Sequence, residues 1–142
     1  TDESGRRWLR TGDVGRLDEE GFLYLVDRKK DLIISGGQNV YPADIEAVLA
    51  EHGGVREVAV IGIDSERWGE SPLAVIVPTD ERPDPEQLKA WTNERVGKHQ
   101  RIAGAVLVPE LPRNANGKIL KRELRGDYRD WLATQDREAH KP

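Results

Sequence analysis

Hydrophobic and polar positions divide the chain into an opening stretch of short alternating runs and a longer stretch that carries both helical and strand periods. Up to residue 30, turn signals punctuate brief strand-like runs: Gly5, then 7–10, the turn Thr11-Gly12-Asp13, then 14–17, a turn at 18–21, and 22–26. This pattern predicts a β meander with no helix. It holds too few apolar residues to close a core alone and reads as the edge of something larger. The charged run Asp27-Arg28-Lys29-Lys30-Asp31 then separates it from Leu32-Ile33-Ile34, which ends at Ser35-Gly36-Gly37. A domain boundary is expected within that run.

Pro42 opens a helix where its missing N–H removes nothing, Ile45, Val48 and Leu49 recur at helical spacing, and Gly53-Gly54 stops it. Residues 55–63 and 73–77 are β-branched and almost continuously apolar, the pattern of central strands buried on both faces. Asp84, Pro85 and Gln87 supply an N-cap, a first-turn proline and a capping-box partner; Leu88 and Trp91 give the apolar face of a second helix running to about Val96. A third strand at 105–108 stops at Pro109, 114–117 is a loop, 119–125 starts another helix, and the polar tail beyond Leu132 is expected to fray. The predicted fold is α+β: a three-stranded sheet covered by helices, plus a β-hairpin at 33–40, preceded by the meander. The expected organisation is 1–30 as the edge of a larger preceding domain and its hinge, 31–125 as a small lid-like domain, and 126–142 as a polar tail.

Composition narrows the function classes. The 142 residues suffice for one domain with a core. A hydrophobic share of 37% against 34% charged residues fits a small domain with wide solvated faces. A formal net charge of -4 argues against a nucleic-acid partner held by overall charge. The absence of cysteine excludes disulfides, thiolate zinc sites and a cysteine nucleophile; with no secretory signal pattern, a cytoplasmic address is expected. No apolar run approaches the ~20 residues that span a bilayer, so no transmembrane segment is expected. His52, His99 and His140 lie far apart without ligand spacing, and no metal site is expected.

The candidate motifs are individually ordinary. Thr11-Gly12-Asp13 is a turn, Gly36-Gly37 a hairpin tip that needs positive φ, and Asn116-Gly117-Lys118 an exposed turn bearing a lysine. Their order and spacing are less ordinary. The strings TGDVGRLDEEGFLYLVDRKKDLIISGGQNVYPADIE (11–46), IDSERWGE (63–70) and ELPRNANGKILKREL (110–124) together resemble the final third of the adenylate-forming superfamily, which includes acyl-CoA synthetases, aryl-CoA ligases, luciferases and peptide-synthetase adenylation domains. The resemblance runs from about residue 7 to 125.

The resemblance implies an enzyme that joins a carboxylic acid to ATP, releases pyrophosphate, and passes the acyl group from AMP to a thiol. It places Lys118 as the adenylation lysine, carried by the 114–117 loop; a cation so delivered stabilises charge building at the α-phosphate. It sets Asp13 toward the ribose hydroxyls of ATP, Arg28 near the same nucleotide, and Lys30 at the hinge about which the lid rotates between two poses. In the second pose the 33–40 hairpin would line the pantetheine tunnel, with Gly36 and Gly37 leaving room for the thiol. Trp68, for which a partly buried core position is an equal reading, could then stack on the CoA adenine, and Arg101, with Lys98, could meet its phosphates. Mg2+ is expected with ATP, with no ligand in this segment. Asp44 stands where the family usually has glutamate, and Gln100-Arg101-Ile102 departs from the family's Lys-x-Pro or Arg-Pro.

Val40-Tyr41-Pro42-Ala43-Asp44-Ile45-Glu46 looks like the acyl-CoA ligase form of its motif, which favours free CoA as acceptor. Carrier-protein pantetheine, as in acyl-AMP ligases and adenylation domains, is an alternative, and so is a non-catalytic interaction module that kept the lid fold. The phosphate loop and acyl pocket of such enzymes are missing from these residues, so the implied first partner is a preceding amino-terminal domain. Fatty, aromatic and small branched acids all stay open. The Pro-x4-Gly-Lys string at 112–118 also resembles a target of a lysine acetyltransferase, which would neutralise Lys118.

Overall fold

The computed structural model describes residues 12–139. The strand expected at 7–10, with Gly5, Thr11 and His140, lies outside the described residues. The first described elements are strands β1 (Asp13–Leu17) and β2 (Leu23–Arg28), an antiparallel pair forming its own two-stranded sheet. The turn between them is built by Asp18, whose carboxylate accepts the backbone N–H groups of Glu20 and Phe22, both at 2.9 Å. The charged connector then tightens into a single 3-10 turn, Lys29–Asp31, closed by the Leu32 N–H donating to the Lys29 carbonyl at 3.3 Å.

A five-stranded sheet follows. Strands β3 (Ile33–Ser35) and β4 (Gln38–Val40) form the predicted hairpin, and β5 (Val55–Ser65) and β6 (Gly69–Pro78) form a long antiparallel pair. β5 covers one edge of β6 along its whole length. The other edge is shared: β3 pairs antiparallel at Ser35↔Gly69, and β7 (Gly104–Leu107) pairs in parallel from Leu73↔Gly104 to Ile76↔Leu107. The hairpin is therefore continuous with the three strands expected from the apolar runs.

Helices α1 (Pro42–Leu49), α2 (Pro85–Asn93), α3 (Lys121–Tyr128) and α4 (Trp131–Ala139) complete the described residues. The period-2 alternation of the central strands feeds two cores. Val60, Ala74 and Ile76 point to one, with Ile45 and Leu49 of α1 and Leu88 of α2. Ala59, Ile61, Ile63, Leu73, Val75 and Val77 point to the other, with Leu111 from the loop after β7 and Leu124 from α3, and Trp131 and Leu132 of α4 pack against it. Helices on both faces explain the continuous apolar runs.

Three local expectations change. α2 ends at Asn93, and its inward face is Leu88 and Thr92, whose hydroxyl donates to the Leu88 carbonyl at 2.7 Å; Trp91 lies only partly covered, edge-on to His52 with the Arg95 guanidinium 4.0 Å above its ring. α3 begins two residues later than expected, because Ile119 is held in an antiparallel bridge with Arg113. The tail expected to fray is helical through Ala139, since Trp131 seats against Gly104 of β7.

Candidate functional site

The residues singled out in the sequence fall into three places. The first is the junction before the five-stranded sheet. Asp13 and Arg28 are direct register partners across the β1–β2 ladder, and the N–H of Lys29 donates to the Gly12 carbonyl at 2.7 Å. Lys30 is exposed in the 3-10 turn that follows at once. Two strand ends and the connector are thus locked into one small structure.

The second place is a hairpin bearing Lys118. Arg113 and Ile119 bridge its base, and the Leu120 N–H donates to the Pro112 carbonyl at 2.8 Å. Inside the loop, the Asn114 side-chain oxygen accepts the N–H groups of Asn116 at 2.9 Å and Lys118 at 3.0 Å, while the Asn114 N–H donates to the Lys118 carbonyl at 2.9 Å. Asn114 therefore grips the lysine backbone from both sides. Gly117 has φ 80° with nothing within 4 Å of a notional Cβ, so glycine serves the backbone turn there and not the space. The Lys118 side chain stands in solvent.

The third place is a broad open cleft of about 1430 Å³ lined by Gly36, Trp68, Lys98, Arg101, Ile102 and α4 residues including Ala133 and Asp136. It opens where the edge of β6 passes from β3 to β7. Gly36, Trp68 and Arg101 are brought together there; Gly37, at φ 78°, forms the hairpin tip beside the cleft and is not part of its lining. Trp68 is 47% exposed, which removes the core reading, and the Arg67 guanidinium stands 4.7 Å from the centre of its ring. The first object that the missing side chain of Gly36 admits is that indole.

Several positioning groups were not visible in the sequence. The Trp-Gly-Glu loop holds the β3–β4 hairpin through the Gly36 N–H donating to the Trp68 carbonyl at 2.9 Å and the Ile34 N–H donating to the Glu70 carboxylate at 2.8 Å. Asn93 clamps Ile102 in both directions, accepting its N–H at 2.8 Å and donating to its carbonyl at 3.2 Å, and so fixes the backbone beside Arg101. Gln100 accepts the Gly97 N–H at 2.8 Å and steadies the Lys98–Gln100 turn. An asparagine in the last turn of a helix was the one signal, since its intrinsic helix preference is poor.

The lysine hairpin and the cleft sit at opposite ends of β5. Arg113 pairs with Glu57 near one end, whereas Ser65 lines the cleft at the other; eight residues at ~3.3 Å each separate them by roughly 26 Å. Among the described residues no group of three or more His, Asp or Glu side chains is placed to hold a metal ion. No helix among them is long and apolar enough to cross a membrane.

Comparison with known proteins identifies the fold. The model for the AMP-binding enzyme C-terminal domain matches residues 44–118. The chain belongs to the AMP-binding enzyme C-terminal domain family. Among relatives of this AMP-binding C-terminal domain, the 2-succinylbenzoate–CoA ligase of Geobacillus kaustophilus is 50% identical over 119 residues, which cover 83% of this chain and 24% of that protein. The o-succinylbenzoate CoA synthetase of Bacillus subtilis, solved with an acyl-adenylate intermediate, superimposes with a TM-score of 0.76 at 44% identity over 83% of this chain and 24% of that one. A Mycobacterium tuberculosis fatty acyl CoA synthetase gives 0.71 at 45% identity over 85% and 24%. The chain thus spans about a quarter of the length of the proteins it matches.

Proposed function

We propose that this AMP-binding C-terminal domain is the lid of an acid–CoA ligase whose larger preceding part holds the phosphate loop and the acid pocket. Exposed Leu17 and Leu23 on the small β1–β2 sheet, with Phe22 in the turn between its strands, suit a surface that packs against that part. In the first step a carboxylate oxygen bonds to the α-phosphorus of ATP, the bond to the bridging oxygen breaks, and pyrophosphate leaves. In the second a thiol sulfur, giving up its proton, bonds to the acyl carbon, and AMP leaves.

The observation that carries this reading is Lys118, exposed at the tip of a hairpin whose backbone is fixed by Asn114. A cation held on a rigid support at an open tip suits delivery to a phosphoryl centre on another domain. Asp13 and Arg28, as register partners next to the connector, suit the nucleotide, with Lys30 as the hinge. The cleft with Gly36, Trp68 and Arg101 suits the acceptor thiol and the nucleotide end of CoA, with Gly37 beside it. The separation of hairpin and cleft along β5 favours an enzyme that rotates its lid between the two steps.

An aryl carboxylic acid of the 2-succinylbenzoate kind is the first substrate to offer, on the strength of the 50% identical relative so named. Supplying the full-length ligase with ATP, that acid and free CoA is expected to yield the CoA thioester by mass spectrometry; accumulating acyl-adenylate without thioester would move the acceptor to a carrier protein. Lys118→Ala is expected to slow acyl-adenylate formation by about 10²–10³-fold. Unchanged adenylation would end the proposal. Residues 1–142 alone are expected to show no ATP–pyrophosphate exchange. The exposed lysine also suits a lysine acetyltransferase, since acetylation removes the charge that the first step needs. A cytoplasmic location agrees with the absence of cysteine.

A further inference from the structure

We propose that Arg113 is a positioning residue for Lys118, a latch that sets the attitude of the lysine hairpin against β5; this rests on the reading of Lys118 given above. Arg113 reaches in two directions. One guanidinium nitrogen donates to the carbonyl of Gly117, the residue before Lys118, at 2.9 Å, and the other pairs with the Glu57 carboxylate on β5. A planar fork serves two acceptors at once in a way that a single ammonium does not.

The other hydrogen bonds of the loop have a different job. Those of Asn114 run from the loop to itself and fix its shape. The base is anchored separately, by Leu111 and Ile119 against the α3-side core. Among the described residues, the Arg113–Glu57 pair is the hydrogen-bonded tie from this hairpin to the sheet. Without it the hairpin keeps its fold and its lysine but can pivot about its base, so that the ammonium leaves the position from which it meets the phosphate.

The energetics separate this role from a structural one. Both partners are more than a third exposed, and ion pairs in such settings add little to folding stability. Loss of the pair is therefore expected to leave the melting midpoint in place. A displacement of about 1 Å at a reacting centre, by contrast, costs up to about 10²-fold in rate. A contact of small thermodynamic weight can then have a large kinetic effect on one step alone.

The test uses the full-length ligase and separates its two half-reactions. Arg113→Met is expected to lower kcat for acyl-adenylate formation by about 10- to 100-fold, with KM for ATP nearly unchanged and the melting curve superimposable on wild type. Thioester formation from preformed acyl-adenylate should run at the wild-type rate. Glu57→Ala should give a comparable loss, and the double variant should be no slower than the slower single one, because the two act through each other. Arg113→Lys, which keeps the charge but not the fork, should recover part of the rate. Additive losses, an equal fall in both half-reactions, or full adenylation by Arg113→Met when Lys118→Ala is inactive would each overturn the latch. Lys118→Ala measured alone decides the reading on which it rests: normal adenylation by that variant overturns both.

Discussion

The indole of Trp68 lies against the bare α-carbon of Gly36, where an added β-carbon would stand 3.0 Å from its Cε3 atom. Gly36 also has φ 58°, and its neighbour Gly37 has φ 78° with nothing within 4 Å of a notional β-carbon. The pair separates two costs. Alanine at 37 carries only the left-handed backbone penalty, about 1–2 kcal/mol. Alanine at 36 carries that penalty and also displaces Trp68. Urea unfolding is expected to rank Gly36→Ala below Gly37→Ala, and Trp68→Ala in the Gly36→Ala background should close most of the difference. Equal destabilisation of the two single variants would show that the indole does not press on the turn.

Gly104 and Trp131 give a second test of close approach. A β-carbon on Gly104 would collide with the benzene ring of Trp131, so the helix that begins there can seat only over a glycine. Gly104→Ala is expected to cost about 1–3 kcal/mol through overpacking, read as a lower midpoint in thermal or chemical denaturation. Trp131→Leu should restore part of it, because the smaller side chain no longer occupies the β-carbon's place. A Gly104→Ala chain as stable as wild type would mean that α4 does not dock on β7.

How much of this was legible in the residues follows from the range of the forces involved. Pro42, Gly53-Gly54 and the Asp84 cap act within a turn of themselves, and the helices they delimit were readable; the Asp84 carboxylate accepts the Gln87 N–H at 3.3 Å as its spacing implied. The apolar runs of β5 and β6 announced burial on both faces, which the two cores explain. The parallel pairing of β7 was not readable, because nothing in 104–107 specifies which edge of which strand it joins. α4 was missed for the same reason: Trp131 and Leu132 look like isolated apolar residues in a polar tail until Gly104 provides the notch for one of them. At the site, the lysine, its glycine and the Trp-Gly-Glu loop were visible as short strings. Their supports were not, since Glu70 holds Ile34 across 36 residues and Glu57 meets Arg113 across 56.

Tyr128 gives a pH dependence with a definite sign. Burial, and then the charge of Asp127, raise its pKa above the ordinary 10.0. The folded chain thus holds the phenolic proton more tightly than the unfolded chain. The associated stability is complete below the unfolded value and is lost as pH rises through the folded one. Denaturation midpoints measured across the alkaline range are expected to fall more steeply for wild type than for Tyr128→Phe, with the two parallel near neutrality. Parallel curves throughout would remove Tyr128 as a contributor.

Lys30 tests whether the connector is the moving part. It follows the register partners Asp13 and Arg28 and sits in the Lys29–Asp31 turn, which precedes β3. Proline there fixes φ near −65° and biases Lys29 away from helical geometry, so a connector that must exchange between two backbone states loses one of them. Because Lys30 is exposed, its ammonium can be removed without disturbing the core, and Lys30→Ala serves as the control for charge. On the ligase reading proposed above, Lys30→Pro in the full-length protein is expected to slow one half-reaction by about 10- to 100-fold, the scale of a misplaced reacting group, while the other proceeds near its normal rate. Lys30→Ala should affect neither so selectively. If proline slowed both half-reactions by the same factor, or neither, rotation about this turn would not be what brings first the Lys118 hairpin and then the Gly36 cleft to the substrate.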